Sequence, residues 1–377
     1  MTIYLLFVIV IIMIIDEKTS HRITSLRFIL AVLVVFIHNN YMLATVANSG
    51  EALLFNQSRF GEFIQLVISG GLACGAVPLF FLFAGYLQVK KNDPYTILIK
   101  KRIHSLLIPY FIWIGLYLLY NTLGKVLLLK IAPSLIANPE AVYDFYSWKV
   151  KDWFTYIIGY SNIQGGNPLA AGQFWFVRDL FLFVVFSPVI IFLLKKIPFL
   201  FLSLLFIIYI CLDFPLNENL TYSLLFYSLG LTWGIYNIDL LNKIDRIKWW
   251  ELLILFMICF TGPIIFGYNL IIGTKYNCFI ACLILLKLSS ILINNTKIYT
   301  KLSSLSHYSF FLYAIHMPVL LTIIQKLWIK CFPMKNTFFC LFEYFGASFL
   351  IILIGTVIGI LIRKGIPVLF KLLTGGR

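Results

Sequence analysis

The chain has 377 residues, 61% of them hydrophobic and only 12% charged, with a mean hydropathy of +0.94. This excludes a soluble globular domain, and the apolar runs of about 18 residues or more that recur along the chain read as membrane-crossing helices. The net charge of +15 is no nucleic-acid footprint: the Lys and Arg residues sit between apolar runs, where they orient spans and meet anionic lipid headgroups.

In chain order, residues 1–15 (MTIYLLFVIVIIMII) are apolar but short. No basic stretch precedes them and no small-residue cleavage site follows, which argues against a signal peptide. They fit either an extra, imperfect helix or an over-extended start with Met13 as initiator. Ten spans follow, at roughly 26–45, 64–88, 105–126, 174–194, 198–213, 221–237, 249–268, 276–293, 307–326 and 341–362. The fifth and sixth are short for a bilayer core of about 30 Å. The expected fold is an all-α, polytopic transmembrane bundle of about ten helices. Its parts are an N-terminal segment 1–23, a membrane domain 24–365 and a tail 366–377. With the N-terminal stretch inside, eighteen Lys and Arg residues fall on the inner side and nine on the outer. The positive-inside rule therefore puts both termini in the cytoplasm.

The segment 127–173 is the sizeable stretch between spans, rich in aromatics, Gly, Asn and Gln. It suits an interfacial aromatic belt, and also stacking on sugars. GGLACG (70–75) lacks the lysine of a phosphate loop and fits close helix packing by small residues. The seven cysteines form no CxxC and no zinc spacing, so neither a disulfide framework nor a metal site is expected.

Ionisable groups inside spans are functional candidates by default. Arg27 and His38 are eleven residues apart. At 100° per residue they come within about 20° of one helix face, roughly 16 Å apart along the axis. This predicts one polar stripe from Arg27 at the inner end to His38 nearer the outside. Arg27 also fits snorkelling into headgroups, and His38 a structural hydrogen bond to another helix. Arg178 and Asp179 open the fourth span. Adjacent helix residues do not face each other, so the two need not pair, and one is free to reach His38 or a substrate. In the ninth span His316 suits either the same cavity or helix bonding before Pro318. Lys287 is expected to snorkel. The first inner loop, with Lys90, Lys91, Lys100, Lys101 and Arg102, suits lipid contact or a phosphorylated ligand.

Several motifs together resemble the acyltransferase-3 family of bacterial membrane O-acyltransferases. Arg27, ten residues, then His38 resembles the family signature of the first helix. VPLFFLFAGYL (77–87) resembles its FF-x-x-SGY element, with Ala84 for Ser. KKRIHSLLIPYFIW (100–113) resembles the basic entry to the third helix, with Ser105 where a second Arg is common. FWFVRDLFLFVVFSP (174–188) and SFFLYAIHMPV (309–319) resemble the fourth and penultimate helices.

The resemblance implies acyl transfer, acetyl above all, from cytoplasmic acyl-CoA to a sugar hydroxyl. The acceptor would be a surface polysaccharide or its lipid-linked precursor, and the location the bacterial inner membrane. It implies His38 and Arg27 as catalytic, with Trp175, Arg178, Asp179 and His316 on the substrate side and Lys100, Lys101 and Arg102 holding the donor. Acetyl-CoA is then a donor substrate rather than a resident cofactor; the partners are acyl-CoA, the glycan acceptor and membrane lipids, with no nucleic acid. A transporter or flippase for a polysaccharide intermediate is the alternative reading of the buried charges.

Overall fold

The computed structural model describes residues 16–39, 59–131, 147–159, 170–211, 218–265, 270–333 and 336–376. Residues 1–15 and most of the expected outer segment 127–173 lie outside them. Among the described residues every regular element is helical: α1 Glu17–His38, α2 Phe63–Lys91, α3 Tyr95–Ile131, α4 Val150–Ile157, α5 Trp175–Val185, α6 Ser187–Lys196 and α7 Pro198–Cys211. They continue with α8 Glu218–Ile235, α9 Leu240–Arg246, α10 Trp249–Ile265, α11 Leu270–Asn294 and α12 Thr296–Ser306. The last three are α13 Ser309–Cys331, α14 Thr337–Gly365 and α15 Pro367–Thr374. Six of the described helices are long and apolar enough to cross a membrane, and up to eight spans result if each of two bent pairs is one. The described residues of each of the ten expected segments are mainly helical. The fourth is bent by 64° between α5 and α6, the sixth lies on α8 and is followed by a 104° turn into α9, and the fifth and seventh are short apolar helices.

The first helix corrects the expected bounds. Asp16 caps α1 by accepting from the Thr19 N–H at 2.8 Å, so the helix starts nine residues before the expected span and ends at His38. Arg27 is therefore halfway along α1, and the N-terminal turns of the helix are held by Arg22 instead. Arg22 is 1% exposed and donates to both carboxylate oxygens of Asp245 (2.7 and 3.0 Å), to Ser289 Oγ (2.8 Å) and to Leu286 O (2.5 Å). A cation in an apolar surround needs this full set of acceptors. Lys287, expected to snorkel, is likewise drawn inward: it is buried, donates to Asp245 O at 2.9 Å and lies over the Trp249 ring.

α1 is the centre of the bundle, packed against α2, α11, α12, α13 and α14. Small residues set the closest crossings, as expected for membrane helices. In α2, a Cβ at Gly71 would meet the Phe256 ring of α10 at 2.7 Å, and one at Gly75 would meet Ala281 of α11 at 2.8 Å. Gly85 of α2 faces the Tyr227 carbonyl of α8, and Gly230 of α8 faces the Leu82 carbonyl of α2. That reciprocal backbone contact explains a glycine in the AGY element. α2 and α8 touch main chain to main chain, and this lets α2 stand close enough to α1 to wall a cavity with it.

Candidate functional site

Two features meet along α1: a cavity beside Arg27 and an imidazole pair at His38. The cavity has a volume of about 660 Å³. Its basic groups are Arg27 on α1, Lys91 at the end of α2, and Lys101 and Arg102 on α3, with His307 between α12 and α13. Asp93 is the acidic member of the wall and accepts from Lys101 Nζ at 2.6 Å. Hydroxyls of Thr24, Ser105, Ser303, Ser306 and Ser309 line it too, and Phe80, Phe83, Phe176, Phe310 and Tyr313 supply the apolar part. A basic mouth with an aromatic interior matches a ligand charged at one end and slender and apolar at the other. Arg27 is exposed to this cavity and has no hydrogen bond among the described residues, so its five donors are available to a ligand. Of the three residues expected to hold a donor, Lys101 and Arg102 line the cavity; Lys100 is exposed elsewhere and does not. Arg102 adjoins a wide helical turn over Ile103–Leu107, which turns the Ser105 position to the same space.

The imidazole pair sits at the far end of α1. His316 Nε2 is 3.2 Å from His38 Nδ1, with ring centroids 4.9 Å apart. His38 Nδ1 is also 2.9 Å from Val34 O, and His316 Nδ1 is 2.6 Å from Tyr313 O. A carbonyl oxygen only accepts, so each Nδ1 carries the hydrogen in the neutral rings. The His316 Nε2 lone pair then faces the His38 N–H, and His38 Nε2 keeps a free lone pair. That arrangement leaves His38 Nε2 able to accept a proton while His316 Nε2 faces the other side of the same ring.

His316 is held there by a break in α13. Pro318 has no N–H, which leaves the Ala314 carbonyl without its donor four residues on. Met317 leaves the helix at φ −137° and ψ 164°. Two side chains supply the missing donors. Tyr117 Oη donates to Ala314 O (2.7 Å) or Met317 O (2.6 Å), and Gln173 Nε2 donates to Met317 O (2.5 Å) and Ala314 O (3.2 Å). Tyr313 donates in turn to the Gln173 carbonyl. Tyr313 lines the cavity while its ring centroid is 6.1 Å from that of His316. It is the link between the two features. The single continuous stripe expected from the helix period is thus divided: Arg27 lines the cavity, and His38 and His316 stand behind Tyr313.

The remaining candidates are placed as follows. Arg178 and Asp179, whose pairing the helix spacing left open, form a buried ion pair, Nε to Oδ1 at 2.7 Å, with Arg178 Nη1 also donating to Ile158 O at 2.6 Å. Their Cβ atoms diverge, but the arginine side chain is long enough to fold back, and a buried charge is costly alone. Trp175 is half-buried and packs on Phe81 and Tyr222 rather than on either imidazole. Sequence reasoning passed over Tyr117, Gln173 and Tyr313. The signal for the first two was the proline itself, which implies a carbonyl in need of a donor, though not which side chain provides it. It also passed over Asn39, fully buried after His38, which donates to Tyr344 O (3.0 Å) and Ser348 Oγ (2.9 Å) of α14 and accepts from Gln325 (2.6 Å). That clamp fixes the end of α1 and with it the position of His38.

A family model described as an acyltransferase domain matches residues 20–364. The succinoglycan biosynthesis protein ExoH of Rhizobium meliloti (strain 1021) is 25% identical over 388 residues, covering 96% of this chain and 94% of that protein. No solved structure matches the chain.

Proposed function

Because this chain belongs to the acyltransferase-3 family, we propose that it transfers a short acyl group, acetyl by preference, from acyl-CoA to a hydroxyl of a surface polysaccharide or its lipid-linked precursor. We place it in the bacterial inner membrane with both termini in the cytoplasm, following its basic loops. The polysaccharide is favoured by the similarity to a protein of succinoglycan biosynthesis. The observation that carries the chemistry is the placing of His38 Nδ1 against both Val34 O (2.9 Å) and His316 Nε2 (3.2 Å), which in the neutral ring puts the hydrogen on Nδ1 and the lone pair on Nε2.

In this reading the phosphorylated end of the donor lies among Lys91, Lys101 and Arg102, Arg27 holds its arm, and the thioester end passes Tyr313 to reach His38. The acceptor hydroxyl approaches His38. His38 Nε2 takes the hydroxyl proton as the oxygen attacks the thioester carbonyl carbon. The resulting oxyanion collapses, the C–S bond breaks, and His38 returns the proton to the departing sulfur. The products are the ester and free CoA, with no proton gained or lost. His316 keeps its own Nδ1–H on Tyr313 O, so its Nε2 stays an acceptor that stabilises the imidazolium formed at His38.

The test is transfer of label from acetyl-CoA to glycan by the purified protein. His38→Ala should lower the rate by roughly two to four orders of magnitude, the usual worth of a positioned base, with protein level unchanged. Substantial residual transfer would remove His38 from this role. Label that stays on CoA while glycan crosses the membrane would instead make the protein a transporter.

A further inference from the structure

The family match ends at residue 364, and residues 366–377 read in sequence as a tail. In the structure this segment is built into the bundle. Ile366 (φ −136°, ψ 71°) ends α14, and Pro367 opens α15, which folds back against α3 and α13. One face of α15 is buried through Phe370, Leu373 and Thr374 (3%, 4% and 0% exposed), whereas Val368 and Leu372 stay exposed. Phe370 packs on Tyr308 and Phe311 with centroids 5.8 Å away in each case, and Trp113 Nε1 donates to Leu373 O at 2.9 Å.

This docking delivers Gly375 and Gly376 to the cavity, where both line the wall together with Ser105 and Arg102. Gly375 is in the left-handed region (φ +68°), and a Cβ there would stand 2.5 Å from Ser105 O and 2.6 Å from Ser105 Cα. Here glycine is required twice over, by the dihedral and by the approach of two main chains. Gly376 is also left-handed (φ +74°), yet a Cβ on it meets nothing within 4 Å. The space it leaves is open. The N–H groups of both glycines are directed to the Lys371 carbonyl. The turn therefore offers room and a smooth main-chain wall rather than hydrogen-bond donors.

We propose that the Gly375–Gly376 turn is a positioning part of the donor site, a side-chain-free wall that lets the phosphorylated nucleotide end of a thioester donor settle against Arg102. It rests on the reading that this cavity holds acyl-CoA. Gly375 keeps the Ser105 turn at its place beside Arg102, and Gly376 keeps the mouth clear.

The experiment uses the full-length purified protein, with CoA binding measured by calorimetry and acyl transfer measured against acyl-CoA concentration. Gly376→Phe should weaken CoA binding and raise the donor KM by about tenfold, the effect of some 1.4 kcal/mol, with kcat within about threefold. Gly375→Ala should do the same by displacing Ser105. Leu372→Ala, on the exposed face of α15, should alter neither. Should Gly375→Ala fail to fold, Gly376→Phe still decides: its side chain starts in open space, and Gly376→Ala, which carries the same left-handed strain (φ +74°) without the bulk, should leave CoA binding near wild type. Wild-type protein that binds CoA, with Gly376→Phe binding it equally well, overturns this inference alone. Wild-type protein that binds no CoA overturns the donor reading and the inference with it.

Discussion

The side chains that shape the site act mostly on main-chain groups. Tyr117 and Gln173 exist in this arrangement to satisfy Ala314 O and Met317 O, which Pro318 leaves without partners. Losing a donor to a buried carbonyl costs about 1–3 kcal/mol, so Gln173→Leu should lower the melting temperature measurably. It should also lower turnover, because His316 is carried on the same break. The comparison with Thr122→Ala is informative: Thr122 bonds only to carbonyls of its own helix (Leu118 and Leu119 at 3.0 and 3.1 Å), and its loss should be near neutral by differential scanning fluorimetry. Arg22 is the other heavily committed side chain. Arg22→Met removes donors from Asp245, Ser289 and Leu286 together and should cost on the order of 3 kcal/mol. Lys18→Ala, whose contact with Asn242 is exposed, should stay within about 0.5 kcal/mol. Chemical denaturation in detergent separates the two outcomes.

At the scale of helices, close approach and deliberate breaks divide the work. Gly85 and Gly230 bring α2 and α8 into main-chain contact. Gly230→Ala would put a Cβ 2.0 Å from Leu82 O, so the backbones must separate. We expect a loss of about 1–3 kcal/mol or more and a fall in monodisperse protein on size-exclusion chromatography. Gly115→Ala, where a Cβ meets nothing within 4 Å, should leave the profile unchanged. The breaks are equally specific. α13 interrupts at Met317, which turns His316 to His38, and α3 widens over Ile103–Leu107, which sets Ser105 against Gly375. Irregular main chain in an apolar surround survives where protein groups satisfy it, and at the α13 break Tyr117 and Gln173 do so.

Across the whole molecule, charge is arranged by depth. The basic cavity mouth gathers Lys91, Lys101 and Arg102 from two helices, and Arg27 lies further in on a third. An anionic donor held this way should bind more weakly as salt is raised, since the partially exposed cations are screened. Arg102→Ala should raise the donor KM by about tenfold, on the order of one charge-assisted contact. Lys100→Ala, outside the cavity wall, should leave it unchanged in the same steady-state assay. The basic loops also set orientation. A green fluorescent protein fused after residue 377 should therefore fluoresce, and alkaline phosphatase at the same point should stay inactive.

Class, helical architecture and family were legible from the chain alone, because hydropathy, loop charge and the five motifs are local properties that survive without knowledge of contacts. So was the candidacy of His38 and Arg27, since an ionisable group inside an apolar run stands out wherever it later packs. What the local pattern did not contain was partnership. The eleven-residue spacing put Arg27 and His38 on one face but not Tyr313 between their two surroundings. The proline implied an orphan carbonyl without naming Tyr117 or Gln173, residues far away in sequence. Arg22 read as one more inner-side charge, and residues 366–377 as a tail. Only the packed bundle decided that His316 meets His38, that Arg178 pairs with Asp179, and that Gly375 closes on Ser105. Each is a contact between distant segments, and such contacts are chosen by which faces can be buried together rather than by any residue's own preference.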